Sequence, residues 1–102
     1  MVTVRAKGLC LEVTGHAGWA PRGSDLVCAG VSVLTATLAA AMTALWEQGR
    51  LNTQPEIAMG KGKAKILCRE ETPEVLQTFQ TVLSGYRLLA RQYPQNVVLI
   101  NE

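Results

Sequence analysis

The chain has 102 residues, of which 48% are hydrophobic and 18% are charged. This length suits a single domain, residues 1–102, with one hydrophobic core, and the composition excludes a disordered chain. The formal net charge of +2 is too small to require a nucleic-acid partner.

The three cysteines are Cys10, Cys28 and Cys68. Their odd number and the lack of a CxxC pair argue against a disulfide framework and against a structural zinc site. No basic, apolar signal peptide opens the sequence. We therefore expect free thiols in a reducing, cytoplasmic compartment.

The chain begins with the pattern of a β-hairpin followed by a loop. Val2–Arg5 alternates apolar and polar residues, Leu9–Thr14 does so more loosely, and Lys7-Gly8 lies between them. The next nine residues, 15–23, hold three glycines and Pro21, which is typical of a loop.

A long helix is predicted from about Asp25 to Gln48. Ser24 and Asp25 are favoured at helix starts, and Gly49 offers a stop. The stretch 26–46 has no formal charge and is long enough to span a bilayer. However, hydroxyl residues interrupt it, and its large apolar residues follow the spacing of a soluble amphipathic helix. These residues are Val27, Val31, Leu34, Leu38, Met42 and Leu45.

The second half of the chain repeats the pattern of two strands and a helix. Strands are expected at 56–59 and 63–68, and a helix is expected to start at Thr72-Pro73-Glu74 and to end before Pro94. A short apolar strand, 97–100, closes the chain. The predicted fold class is α+β, order ββαββαβ, with two helices packed on a mixed, mostly antiparallel sheet.

Cys28 and His16 are the candidates for chemistry. Cys28 falls in the first turn of the predicted helix, where free N–H groups and the helix dipole favour a thiolate nucleophile. A buried small hydrophobe is the alternative role for this cysteine. His16, the only histidine, lies between Gly15 and Gly18 in the preceding loop, from which it could reach the sulfur as a general base.

Three further residues lie near Cys28 in the sequence. Asp25 and Ser32 share one side of the helix with it, so a carboxylate could orient the histidine and a hydroxyl could contact substrate. A first-turn acid without a catalytic role is the alternative for Asp25. Gly30 inside a helix is unfavourable, and close approach of substrate or of a neighbouring strand would explain it.

The remaining reactive or charged residues have structural interpretations. Lys61, Lys63 and Lys65 alternate along the second hairpin, which fits either a phosphate-contacting patch or a solvated edge. Cys10 and Cys68 fall in predicted strands, and we expect both thiols in the core.

Two sequence blocks together resemble a known signature. Gly15-His16-Ala17-Gly18, followed by the DLVCAGVS stretch from Asp25 to Ser32, is similar to the signature of the ribosomal-processing cysteine protease family, Prp. The resemblance extends over most of the chain. Gly30 departs from the alanine usual in the family, and Trp19 departs from a smaller residue or tyrosine.

The resemblance implies a cysteine endopeptidase that removes a short N-terminal extension from a ribosomal large-subunit protein precursor, or from a related phage precursor. It implies a homodimer with a small α/β fold, with no metal or cofactor and no need for nucleic acid or membrane. His16 and Cys28 would form the catalytic dyad, and Asp25 and Ser32 would support the site. The loop that closes on substrate would include Gly15, Gly18 and Trp19.

The mechanism that follows is attack by Cys28 on the scissile carbonyl through a thioester, with backbone N–H groups at the helix start, including that of Cys28, as candidate oxyanion donors. The resemblance also implies an apolar or aromatic residue just before the cut. Two other functions remain open. A non-catalytic RNA-associated module would use the hairpin lysines and Arg69, and a redox-sensing thiol protein would need Cys28 but not His16.

Overall fold

The computed structural model describes residues 1–15 and 25–102. Its elements follow the predicted order ββαββαβ, with two helices on a five-stranded mixed sheet. In chain order they are β1 (Val2–Lys7), β2 (Cys10–Gly15), α1 (Leu26–Glu47), β3 (Glu56–Gly60), β4 (Lys63–Leu67), α2 (Pro73–Gln92) and β5 (Val97–Asn101).

The sheet is open, with strand order β3-β4-β2-β1-β5. All neighbouring strands are antiparallel except β1 and β5, which are parallel because α2 crosses between β4 and β5.

Two-residue loops join the strands of both hairpins. In the first, Gly8 has φ 57°, a conformation that glycine adopts without steric cost. The loop residues are Gly8-Leu9, one position later than the predicted Lys7-Gly8.

The two faces of the sheet differ sharply. On one face the alternating residues of the inner strands are buried beneath the helices, and they include Val4, Leu11 and Ile66. The opposite face is polar and open. Cys10 belongs to this open face and is half-buried, so the prediction that it is a core thiol is wrong, whereas Cys68 is buried as expected.

Both ends of α1 are fixed by local hydrogen bonds. At its start Asp25 is the N-cap residue. At its end the N–H of Gly49 donates to Trp46 O at 3.0 Å, and that of Arg50 donates to Leu45 O at 2.9 Å. This pair of bonds, with Gly49 at φ 73°, is a Schellman motif.

Helix α1 is long and apolar enough to cross a membrane by length and composition alone. In this fold it is instead a packed helix, because it lies against α2 and β4. Its buried residues recur every three or four positions, which places them on one stripe. They are Val27, Val31, Thr35, Leu38 and Met42.

Small residues let α1 and α2 approach each other. A Cβ added at Gly30 would lie 3.4 Å from Leu89 Cδ1, an ordinary to tight contact. A Cβ added at Gly85 would lie only 2.5 Å from Leu34 Cδ2. The neighbour of Gly30 is therefore the second helix rather than a strand, and this contact leaves room for the methyl group of alanine.

Candidate active site

A cavity of about 210 Å³ lies between the start of α1 and the sheet. One wall is formed by α1, the other by the β3–β4 hairpin, and the floor by the ends of β1 and β2. The residues that line it are Val2, Val13, Gly15, Cys28, Val31, Ser32, Thr35, Met59, Gly60, Lys61, Gly62, Lys63 and Ala64.

Cys28 lies in the first turn of α1 and lines this cavity. The residue is half-buried, so the surrounding apolar side chains hold it in place without enclosing it. Ser32, one helical turn further, lines the same cavity and is exposed. The structure thus brings together Cys28 and Ser32, two of the residues selected from the sequence.

Asp25 has a defined structural role beside Cys28. Its Oδ1 accepts the N–H of Val27 at 2.9 Å and the N–H of Cys28 at 3.0 Å, so the carboxylate caps α1. The side chain is buried, with 8% of the residue exposed. The Cys28 N–H is consequently engaged by a carboxylate, which argues against its use as an oxyanion donor in this conformation.

Gly15 ends β2 and lines the cavity. Its φ of 94° suits glycine alone, and an added Cβ would collide with the Met1 carbonyl. Its N–H donates to Gly62 O at 2.9 Å, which ties the end of β2 to the β3–β4 loop. The glycine that begins the GHAG block is therefore required by the backbone geometry of the cavity floor.

A buried polar pair lies behind the cavity. The Thr35 hydroxyl donates to Val31 O at 2.7 Å, so its oxygen accepts from the Tyr86 hydroxyl, 2.6 Å away. Burial raises the pKa of Tyr86 to about 12, because the phenolate would be desolvated. Sequence reasoning missed this pair, because a threonine among alanines gives no sign of its partner.

His16, Gly18 and Trp19 lie outside the described residues, and their predicted roles stay predictions. The hairpin lysines are placed: Lys63 and Lys65 lie on the polar face of the sheet, where Lys65 stands opposite Glu12. Within residues 1–15 and 25–102, no three His, Cys, Asp or Glu side chains are grouped as metal ligands would be.

The sequence model of the family described as cysteine protease Prp matches residues 2–98. The chain belongs to this family. It is therefore a cysteine protease. The alternative function, a non-catalytic RNA-associated module, does not fit this family. A comparison with curated protein sequences returns no match.

Several solved structures share the fold. A crystal structure of the essential ribosomal processing protease Prp from S. aureus, in complex with a covalently linked product peptide, has 24% identity and a TM-score of 0.76, with both chains covered completely. The Streptococcus mutans protein SMU.848 has 29% identity and a TM-score of 0.64, covering 99% of this chain and 93% of its own. A second S. aureus Prp structure, with a substrate peptide, has 22% identity and a TM-score of 0.67, covering 99% and 97%.

Proposed function

We propose that this Prp family member removes a short N-terminal extension from a ribosomal large-subunit protein precursor, or from a related phage precursor, with Cys28 as nucleophile and His16 as base. The position of Cys28 carries the proposal: all three cysteines lie in the described part of the chain, and of these only Cys28 lines the cavity. The S. aureus relatives, which are ribosomal processing proteases with product and substrate peptides, support the choice of substrate.

The proposed reaction proceeds in two steps. His16 takes the thiol proton as Cys28 Sγ attacks the scissile carbonyl carbon, and the C–N bond breaks as His16 returns that proton to the leaving amine. Water then hydrolyses the thioester, releasing the carboxylate product and restoring the thiol. Because Asp25 Oδ1 occupies the N–H groups of Val27 and Cys28, donors other than these two would hold the oxyanion.

Supporting roles follow from the placement of neighbouring groups. Ser32 is exposed in the cavity, which suits a hydroxyl that contacts substrate. Gly15 precedes His16 and lines the cavity, so the loop bearing the base begins at the site. We also propose, from family resemblance, a cytoplasmic homodimer that needs neither metal nor cofactor.

The direct experiment is incubation of the purified protein with the extended precursor, followed by mass measurement of the products. We expect one cut by the wild-type protein and none by Cys28→Ala or His16→Ala. Cys10→Ala is the matched control, because it removes a half-buried thiol that is not among the cavity-lining residues. Cleavage by Cys28→Ala would contradict the proposed nucleophile, and activity of His16→Ala would show that another base serves.

A further inference from the structure

Among residues 1–15 and 25–102, strand β3 is an edge of the sheet. The backbone groups on its outer side can be assigned from the hydrogen bonds of its neighbours. The N–H of Cys68 donates to Leu9 O at 3.0 Å, and that of Gly15 donates to Gly62 O at 2.9 Å. Hydrogen-bonded pairs alternate along an antiparallel ladder. The even-numbered residues of β4 therefore turn their N–H and C=O groups toward β2, and the odd-numbered residues turn theirs toward β3.

This alternation determines which groups of β3 are engaged. Glu56, Ala58 and Gly60 stand opposite the odd-numbered residues of β4, so their backbone groups bond to β4. Ile57 and Met59 stand between them, and their N–H and C=O groups point to the free side. The free edge of β3 thus offers two donors and two acceptors, spaced as an added strand requires.

Edge strands are commonly blocked by lysine, proline or inward-pointing charge. Pro55 precedes β3 and Glu56 begins it, but the two residues whose backbone groups face the free side carry no such protection. Ile57 and Met59 are uncharged, and they remain 37% and 51% exposed on the face that the helices cover elsewhere.

The part of this edge at Met59 and Gly60 adjoins the Cys28 cavity. Met59 and Gly60 form part of the cavity wall that faces Cys28 and Ser32. A chain paired with β3 would therefore lead into the space where the proposed nucleophile lies. A peptide held in extended form has alternating side chains, and every second one would stand beside Ile57 and Met59.

We infer that β3 binds an extended segment of the substrate, next to the scissile bond, as a sixth strand of the sheet. This inference rests on the proposed protease function and names how its substrate is held. Main-chain hydrogen bonds to Ile57 and Met59 supply binding, and the two exposed apolar side chains favour apolar residues at alternate peptide positions. The segment that binds to β3 is a substrate peptide, because Met59 and Gly60 of β3 line the cavity that contains Cys28.

Amide hydrogen exchange tests the inference without relying on turnover. The probe is a synthetic peptide of the precursor's N-terminal extension, added to the Cys28→Ala protein. In the free protein, Ile57 and Met59 should exchange fast, whereas Ala58 and Gly60 should exchange slowly. Saturating peptide should slow exchange at Ile57 and Met59 by roughly tenfold or more.

Bound peptide with unchanged exchange at these two residues would overturn the inference. Protection already present in the free protein and lost on dilution would assign the edge to a second copy, which also overturns it.

Two substitutions separate the main chain from the side chain. Met59→Pro removes an N–H that points away from β4, which an edge strand tolerates, and Met59→Ala keeps that N–H while shortening the side chain to the same extent or more. In a protein otherwise wild type, we expect KM for the peptide to be roughly tenfold higher for the proline variant than for the alanine variant, with similar Tm. Equal KM values would overturn strand addition while leaving the protease function intact. A wild-type protein that fails to cleave the peptide would instead overturn the proposed function, and this inference with it.

Discussion

Two glycines inside helices have different neighbours, and the difference decides what a methyl group does at each position. At Gly30 the nearest atoms are the flexible ends of Leu89, at 3.4 and 3.5 Å from an added Cβ. At Gly85 an added Cβ meets three atoms of Leu34, at 2.5, 3.0 and 3.3 Å. Helix propensity favours alanine at both positions, so packing alone distinguishes them.

We predict that Gly30→Ala leaves the free energy of unfolding unchanged or raises it by up to about 1 kcal/mol, because helix propensity is gained at little steric cost. Gly85→Ala should lower it by about 1–3 kcal/mol through overpacking against Leu34. Urea unfolding of the two variants beside the wild type measures both effects. The opposite order of stabilities would show that the helices are not packed as described.

The prediction that Cys10 is a core thiol was wrong because it did not consider which face of the strand this side chain lies on. Leu11 and Val13 are buried on β2, so Cys10 alternates with them and belongs to the polar face. The same alternation was available in the sequence and would have placed this thiol correctly. The neighbour of Gly30, by contrast, lies 59 positions away on α2, and no local pattern identifies it.

At the scale of elements, the start of α1 combines a structural and a proposed catalytic task. Asp25 caps the helix through Oδ1, and it follows His16 by nine positions in the sequence. A carboxylate that caps needs only its oxygen as an acceptor, whereas a carboxylate that stabilises an imidazolium needs its charge. The amide of asparagine keeps the acceptor and loses the charge.

We predict that Asp25→Ala lowers the free energy of unfolding by about 1 kcal/mol, because two helix-start N–H groups lose their acceptor. Asp25→Asn should keep nearly the wild-type Tm yet lose on the order of tenfold or more in kcat, if the charge orients His16 as proposed. Thermal unfolding and precursor cleavage by the same samples separate the two tasks. Full activity of Asp25→Asn would restrict Asp25 to capping.

Element boundaries were predictable because their signals are local. The N-cap at Thr72, the proline at the start of α2 and the glycine that ends α1 all appear within a few residues of the helix ends. The order of strands in the sheet depends on contacts between distant segments, so the exposed edge at β3 could not be derived from the sequence. The cavity between α1 and the hairpin follows from that order.

For the whole molecule, one buried group couples stability to pH. Tyr86 is fully buried, and its pKa is raised from 10.0 to about 12 because burial disfavours the phenolate. The folded state therefore holds the phenol proton more tightly than the unfolded chain does. This contribution is fully present below pH 10 and is lost as the pH rises through about 12.

We predict that the free energy of unfolding falls by about 2–3 kcal/mol between pH 10 and pH 12 from this group alone. Tyr86→Phe should remove most of that slope, while costing about 1 kcal/mol at neutral pH through the lost hydrogen bond to Thr35. Urea titrations of both proteins across this pH range measure the difference. Parallel pH profiles would show that Tyr86 is not the responsible group.

The fold as a whole places a half-buried thiol at a helix start, opposite a hairpin and in the same cavity as Gly15. Family membership makes the chain a cysteine protease. The central claim that remains to be measured is that Cys28 is the residue that becomes acylated. A thioester is stable enough in acid to be trapped, so the covalent intermediate itself can be observed.

The most direct measurement is mass spectrometry of the protein quenched in acid within the first turnovers on the extended precursor. We predict a population heavier by the acyl part of the released extension, with digestion mapping the added mass to the peptide that contains Cys28. Cys10→Ala should show the same adduct, and Cys28→Ala should show none. An adduct on another residue, or continued cleavage by Cys28→Ala, would contradict the account.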